Sequence, residues 1–186
     1  PSMERCYAYG RAFADGLAAR GLRVARFEFP YMARRRGDGR KRPPDRAHVL
    51  VDAWRAVIAE LGPENLVIGG KSLGGRIASM VADEAGVAGL VCLGYPFHAP
   101  GRDADAIRLA HLEGLKTPAL IAQGTRDSLG NADDVAGYAL GPTIRIHWLE
   151  DGDHGFKPRK NSGLSVEQNW DSAIQAVAVF VSDLGR

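Results

Sequence analysis

The stretch from Leu66 to Ala85 constrains the fold more than any other part of the chain. A short apolar run is followed by the glycine-rich segment GGKSLGG, residues 69–75, and then by helical periodicity that continues to Ala85. Glycines this dense between a buried strand and a helix predict a very tight βα turn. A strand of this kind needs further parallel strands beside it, with helices covering both faces of the sheet.

The rest of the chain supplies these elements, because short apolar runs alternate with amphipathic ones. The alternation predicts a single doubly wound α/β domain over residues 1–186, with a mostly parallel sheet. The predicted strands are Leu22–Phe29, Leu66–Gly69, Gly89–Gly94, Ala119–Gln123 and Thr143–Leu149. The predicted helices are Glu4–Arg20, Asp45–Leu61 with Asp45 as its cap, Leu73–Ala85, Asp103–Leu115, Asp133–Leu140 and Ser165–Leu184.

Composition and charge exclude several classes of protein. No apolar run approaches the roughly 20 residues that a membrane helix requires. The formal net charge is +2, although Arg34–Arg46 alone carries seven cationic side chains and two carboxylates, a local charge of +5. This basic loop lacks interleaved aromatic residues, so we do not expect nucleic-acid binding. Cys6 and Cys92 lack metal-ligand spacing, which indicates reduced thiols in a cytoplasmic protein and a packed Cys92.

Two interpretations of the glycine-rich segment conflict. Gly70-Lys71-Ser72 is how the nucleotide-binding pattern G-x-x-x-x-G-K-[ST] ends, and a loop of backbone N–H groups must there wrap the phosphates. The position of the first glycine falls on Asn65, and Leu66–Ile68 already belongs to the strand. No residues remain to build the loop, so the P-loop interpretation fails.

The same residues form a complete G-x-S-x-G nucleophile elbow, in which a serine sits on a strained turn between a strand and a helix. Gly70 and Gly74 stand two residues before and after Ser72, where the turn requires small side chains, and Gly69 and Gly75 add room. The plain alternative is a serine that only caps a helix. The strand, both glycines and the helix together favour the elbow.

Two later loops supply partners for Ser72 in the chain order Ser, Asp, His. The strand Ala119–Gln123 runs into Asp127, and the strand Thr143–Leu149 runs into His154. Because the carboxyl ends of parallel strands meet at one edge of a sheet, these side chains are expected to lie near Ser72. The prediction is a catalytic triad in which His154 is the general base and acid and Asp127 orients it.

Each partner has an alternative. Asp151 or Asp153 could orient His154, although a residue so close in sequence would need a sharp local turn to reach its outer nitrogen. Asp127 could simply cap the following turn. His98 follows another strand at the same edge and is the one real competitor to His154; we interpret it as a candidate for the pocket wall.

The backbone N–H of Leu73, at the start of the following helix, is the predicted donor to an oxyanion. Lys71, beside Ser72, is a further candidate for the pocket wall. Chemistry of this kind requires no metal and no organic cofactor. Only about twenty-odd residues separate the strand Gly89–Gly94 from the next one, so no large lid is expected.

Six motifs together resemble the small α/β hydrolases akin to dienelactone hydrolases and, more distantly, eukaryotic testis-expressed and chromatin-complex subunits. They are RFEFPYM (26–32), RPPDR (42–46), GGKSLGGR (69–76), CLGYPFHAPG (92–101), QGTRD (123–127) and DGDHGFKPRK (151–160). The resemblance implies an α/β-hydrolase fold and the same triad. It also implies an N-terminal strand followed by a glycine-rich segment that supplies a second oxyanion donor. This sequence lacks both. That strand would lie between Leu22–Phe29 and Leu66–Gly69, so we expect an N-terminally truncated form of a longer protein.

The sequence therefore predicts a serine hydrolase that acts on a small carboxylic ester or related acyl compound. The basic loop and Lys157–Lys160 follow strands at the predicted active edge, and this suggests a cationic rim that attracts an anionic substrate. A solvated loop without a role is an equally good interpretation of the basic residues. The alternative class is a non-catalytic scaffold of the same fold that binds protein partners.

Overall fold

Four parallel strands form one sheet in the computed structural model, which describes residues 3–99, 101 and 106–185. Their order across the sheet is their order in the chain, and each strand pairs only with its sequence neighbours. The two central strands are buried along their whole length. The strands are β1 (Val67–Lys71), β2 (Gly89–Leu93), β3 (Ala119–Gly124) and β4 (Ile144–Leu149).

Helices cover both faces of this sheet, as the alternating sequence pattern predicts. They are α1 (Met3–Ala18), α2 (Pro30–Asp38), α3 (Ala47–Leu61), α4 (Leu73–Ala85), α5 (Ala106–Glu113), α6 (Ala132–Ala136) and α7 (Val166–Leu184). Alternate residues of β2 pack into two hydrophobic cores, one on each face of the sheet, because successive side chains of a strand point to opposite faces. Leu90 and Cys92 pack with α3 and α4, whereas Val91 and Leu93 pack with α1 and α7. The packing of Cys92 within a strand is thus confirmed.

The predicted strand Leu22–Phe29 is wrong. This segment forms no strand in the structure, and β1 pairs only with β2 within the described sheet. A strand exists through hydrogen bonds to a neighbour, and no described strand lies beside this segment. A side-chain contact holds the segment instead: the ring of Phe27 lies 4.6 Å from that of Trp54 in an edge-on contact. Val24, earlier in the same segment, is 37% exposed.

The basic loop is also partly helical. Pro30, which was expected only to end a strand, begins α2, because its fixed φ and missing N–H suit the first turn of a helix. The helix ends at Gly39, which adopts the left-handed conformation. Asp45 does not cap α3, as its carboxylate accepts a hydrogen bond from Arg34, and Arg46 occupies the capping position without a side-chain bond.

The connection between β2 and β3 agrees with the prediction of no large lid. Its described residues contain one helix, α5, and the first part of the helix predicted from Asp103, residues 103–105, lies outside the described residues. Gly21 stops α1 in the left-handed conformation, as predicted. Among the described helices, none is both long enough and apolar enough to cross a lipid bilayer.

Candidate active site

Ser72 occupies a strained turn between β1 and α4. Its φ of 51° and ψ of −116° lie in a region that residues with a side chain rarely adopt. Two backbone hydrogen bonds fix the turn: Ser72 N–H donates to the Leu93 carbonyl of β2 at 3.0 Å, and Ser72 C=O accepts from Arg76 N–H at 3.0 Å. The serine side chain is thereby placed by backbone alone at the carboxyl end of the sheet.

The glycines that permit this turn differ in part from those predicted. A Cβ on Gly70 would lie 2.9 Å from the carbonyl carbon of Gly74, and one on Gly75 would lie 2.6 Å from the Gly70 carbonyl oxygen. Gly74 itself has no atom within 4 Å of such a Cβ. The residues that the close approach of β1 and α4 requires to be glycine are therefore Gly70 and Gly75, whereas position 74 has room for a Cβ.

A continuous chain of hydrogen bonds connects Ser72, His154 and Asp127. Ser72 Oγ lies 2.9 Å from His154 Nε2, and His154 Nδ1 lies 2.8 Å from Asp127 Oδ2. Ser72 and His154 are half-buried, whereas Asp127 is fully buried. The structure thus brings together three residues that are far apart in the sequence, in the order that the sequence predicts.

Asp127 is held by groups that the sequence analysis did not identify. Gln123 Nε2 donates to Asp127 Oδ2 at 2.9 Å, and Leu129 N–H donates to Asp127 Oδ1 at 2.9 Å. A buried carboxylate needs such donors, because it has lost its hydration. Gln123 also bridges Tyr95 and Gly130. Its signal in the sequence is a single amide at the end of an otherwise apolar strand.

The alternative partners of His154 are engaged elsewhere. Asp151 accepts hydrogen bonds from Arg126 and Arg159, and Asp153 accepts from the backbone N–H groups of Gly155 and Lys157. Neither carboxylate has a described contact with the imidazole. Their bonds leave Asp127 as the carboxylate that orients His154.

His98 and Lys71 make contacts that the sequence does not predict. His98 is buried, with Nδ1 2.9 Å from the Ala99 carbonyl oxygen and Nε2 3.4 Å from Asp134 Oδ2, and none of its described bonds reaches Ser72. Lys71 points to the α1 and α7 face of the sheet, where its ammonium donates to the backbone carbonyl of His154. Their place in the wall of a pocket stays a prediction.

The N-terminus of α4 faces the same site. Leu73 is the first residue of this helix, and the N–H groups of a first turn have no acceptor within the helix. They carry partial positive charge and suit an oxyanion formed next to Ser72. The position of Leu73 therefore fits its predicted role as an oxyanion donor.

An ion-pair cluster ties the loop of Asp127 to the loop of His154. Asp151 is 5% exposed, and its Oδ1 accepts from Arg126 Nε at 2.8 Å and from Arg159 Nε at 2.8 Å. Hydrogen bonds from the side chain and backbone of Arg159, with the charge of Arg126 nearby, lower the pKa of Asp151 from 3.8 to about 2. Arg126 precedes Asp127 directly, so the cluster joins the two loops next to their functional residues.

A separate groove of about 420 Å³ lies between β4 and α7. Its lining includes Arg145, His147 and Ser172, and it contains none of Ser72, Asp127 or His154. The groove is therefore distinct from the hydrogen-bonded chain at the carboxyl end of the sheet.

A parallel sheet with a strained serine turn between a strand and a helix is the arrangement of α/β-hydrolase domains. The family model of the alpha/beta hydrolase domain matches residues 5–182, and the chain belongs to this family. No curated protein matches the sequence at a significant level.

Three solved structures share the fold at low identity. The esterase domain of a Rhodothermus marinus protein is 18% identical, with a TM-score of 0.61 and coverage of 94% of this chain and 78% of that one. An alpha-beta serine hydrolase homologue from Coxiella burnetii is 19% identical, with a TM-score of 0.62 and coverage of 94% and 75%. A monoacylglycerol lipase from Paleococcus ferrophilus is 14% identical, with a TM-score of 0.67 and coverage of 93% and 89%.

The contrast between Gly75 and Gly74 is directly testable. Gly75→Ala is expected to lower the free energy of unfolding by about 1–3 kcal/mol, because the added methyl group collides with the Gly70 carbonyl oxygen. Gly74→Ala is expected to leave it unchanged or to raise it by up to about 1 kcal/mol, since alanine favours a helix. Urea unfolding of both variants measures the difference. Equal destabilisation by the two substitutions would contradict the assignment of Gly75 as the crowded residue.

The charge of Asp151 is expected to make stability depend on pH in the acid range. Because the pKa of Asp151 is lower in the folded state, its charge stabilises the fold at pH values above the unfolded pKa near 3.8. This stabilisation is lost as the pH falls towards the folded pKa of about 2. Asp151→Asn should therefore be less stable than the wild type at pH 7, with the difference shrinking between pH 4 and pH 2. Asparagine tolerates the φ of 53° at this position.

Denaturant unfolding at a series of pH values checks this expectation. Asp171→Asn is the matched control, because Asp171 pairs with Arg20 but its side chain is 71% exposed. An exposed pair contributes little to stability. The same pH profile for both variants would contradict a special role for Asp151.

Proposed function

We propose that the protein is a serine hydrolase that cleaves a small carboxylic ester or related acyl compound through an acyl-enzyme. Ser72 is the nucleophile, His154 the general base and acid, and Asp127 the residue that orients the imidazole. The observation that carries the proposal is the unbroken chain of hydrogen bonds, 2.9 Å from Ser72 Oγ to His154 Nε2 and 2.8 Å from His154 Nδ1 to Asp127 Oδ2.

The chemistry follows from this geometry. His154 Nε2 takes the proton of Ser72 as Oγ bonds to the acyl carbon, and the carbonyl oxygen becomes an anion that accepts a hydrogen bond from Leu73 N–H. The intermediate collapses, and the alcohol leaves with the proton from His154. Water then attacks the acyl-enzyme: His154 takes a proton from the water, and the water oxygen bonds to the acyl carbon. The bond from the acyl carbon to Ser72 Oγ breaks, Oγ regains the proton from His154, and the carboxylic acid is released. Asp127 keeps the Nδ1 proton in place throughout.

Family and neighbours support an acyl substrate in general terms. Two of the structures similar to this chain are described as an esterase domain and a monoacylglycerol lipase, and both lie below 20% identity. The resemblance to dienelactone hydrolases narrows the expectation to a small substrate, and the connection after β2 fits an open site.

Salt bridges engage part of the basic rim. Arg34 pairs with Asp45, Arg36 with Glu28, Arg42 with Asp38, and Arg159 with Asp151. Asp38 and Asp45 are already counted in the local charge of +5, so these pairs leave the rim cationic. The proposal is an acyl substrate, without a charge assigned to it.

A non-catalytic scaffold is the competing function, and two features of the site count against it. The backbone conformation of Ser72, with φ of 51° and ψ of −116°, is strained, and such strain costs on the order of 1–3 kcal/mol. Burial of the Asp127 carboxylate is a further cost that Gln123 and Leu129 offset in part. A scaffold gains nothing from either feature, whereas an activated serine requires both.

Reaction with a fluorophosphonate tests the proposal. The wild-type protein should gain the mass of one adduct, and Ser72→Ala should gain none. Asp127→Asn should label roughly 10⁴-fold more slowly, because the imidazole then loses its useful tautomer. Intact mass spectrometry over time measures both effects.

Ser79→Ala is the matched control. Ser79 Oγ also lies 2.8 Å from a histidine nitrogen, that of His111, but Ser79 is only 3% exposed and should not react. Labelling should therefore persist in this variant. A folded wild-type protein without an adduct, or an adduct that survives in Ser72→Ala, would contradict the proposal.

A further inference from the structure

Lys71 connects the strand that carries the nucleophile with the loop that carries the histidine. It is the last residue of β1 and directly precedes Ser72. Its ammonium donates a hydrogen bond to the backbone carbonyl of His154. A bond from an ionised donor is stronger than one between neutral groups. One side chain thus fixes the position of His154 relative to the strand that ends at Ser72.

Aromatic rings hold the ammonium in this place. Lys71 Nζ lies 5.3 Å from the centre of the Phe156 ring and 5.8 Å from that of Tyr9, within the range of cation–π attraction. Phe156 is fully buried and Tyr9 is 9% exposed. The ammonium therefore has little freedom to leave the His154 carbonyl.

The backbone around His154 depends on such outside contacts. Asp151 and Phe156 both have positive φ, 53° and 68°, although neither is a glycine. Conformations of this kind persist only where surrounding contacts determine them. Asp151 is fixed by arginines on one side of His154, and Lys71 acts on His154 itself.

Gly94 marks the point where these groups meet. Its φ is 66°, and a Cβ at this position would lie 2.5 Å from Lys71 Nζ, 3.2 Å from the His154 carbonyl oxygen and 3.5 Å from His154 Cε1. The ammonium, the carbonyl and the imidazole thus converge beside the end of β2. Space for the ammonium exists here because residue 94 has no side chain.

We propose that Lys71 is a positioning residue, whose ammonium sets the distance between the His154 imidazole and Ser72 Oγ through the His154 carbonyl. The inference rests on the proposed serine hydrolase function. In this role Lys71 acts through His154 and not on the substrate. Its loss should therefore slow the chemical steps and leave substrate binding unchanged.

Lys71→Met tests this role, because methionine keeps the apolar contacts with the rings and removes the donor. With p-nitrophenyl acetate we expect kcat to fall roughly 10–100-fold, the effect of an ångström-scale misplacement, while KM stays within about twofold. Lys71→Arg, which keeps a cationic donor, should recover part of kcat. Lys116→Met is the matched control: it removes an exposed lysine charge before the amino end of β3, whereas Asp127 follows the carboxyl end, and it should change neither constant.

Gly94→Ala provides a second test that retains Lys71 and the triad, should Lys71→Met fail to fold. Its methyl group displaces the ammonium and also crowds the His154 carbonyl, so kcat should again fall with KM unchanged. Adding Lys71→Met to Gly94→Ala should lower kcat little further, because the ammonium is already displaced. Unchanged kcat in either folded variant, or a fall in kcat that Lys71→Arg does not reverse, would overturn the inference alone. A wild-type protein inert to both the ester and the fluorophosphonate would overturn the proposed function and this inference with it.

Discussion

The close approach of β1 and α4 is the constraint on which the rest of the site depends. The turn at Ser72 has no room for side chains on Gly70 or Gly75, so backbone packs on backbone and the serine adopts a strained conformation with positive φ. Hydrogen bonds to Leu93 and Arg76 fix that conformation. Ser72, the proposed nucleophile, is therefore positioned by the core of the domain.

Asp127 and His154 are fixed by different means. Asp127 is fully buried and satisfied by an amide and a backbone N–H, so moving it would leave a charge without partners. His154 lies in the loop after β4, the edge strand of the described sheet, and the side chain of Lys71 binds its carbonyl. The positions of Ser72, Asp127 and His154, the proposed triad, thus depend on backbone packing, burial and side-chain bonds respectively.

How far the sequence predicts this structure depends on where each residue obtains its contacts. The four strands and α4 follow from local periodicity, and Ser72, Asp127 and His154 follow from the rule that parallel strands end at one edge. Leu22–Phe29 has the pattern of a strand, but pairing with a neighbour is not encoded in a segment alone. The role of Gln123 and the greater crowding at Gly75 than at Gly74 were equally hidden, because each depends on contacts outside the residue's own element.

The contacts that hold Ser72 differ from those that hold His154, and this difference affects which substitutions the site can tolerate. A backbone-determined serine tolerates few substitutions around it, whereas the contacts of His154 come from single side chains that can be replaced one at a time. Neither Lys71 nor the Arg126 bond to Asp151 takes part in the backbone contacts that fix the turn at Ser72, so their loss is expected to act on the histidine loop rather than on that turn. Activity in this domain is therefore more easily lost or adjusted through the histidine loop than through the elbow. That separation allows a non-catalytic scaffold to arise from the same fold without disturbing its core.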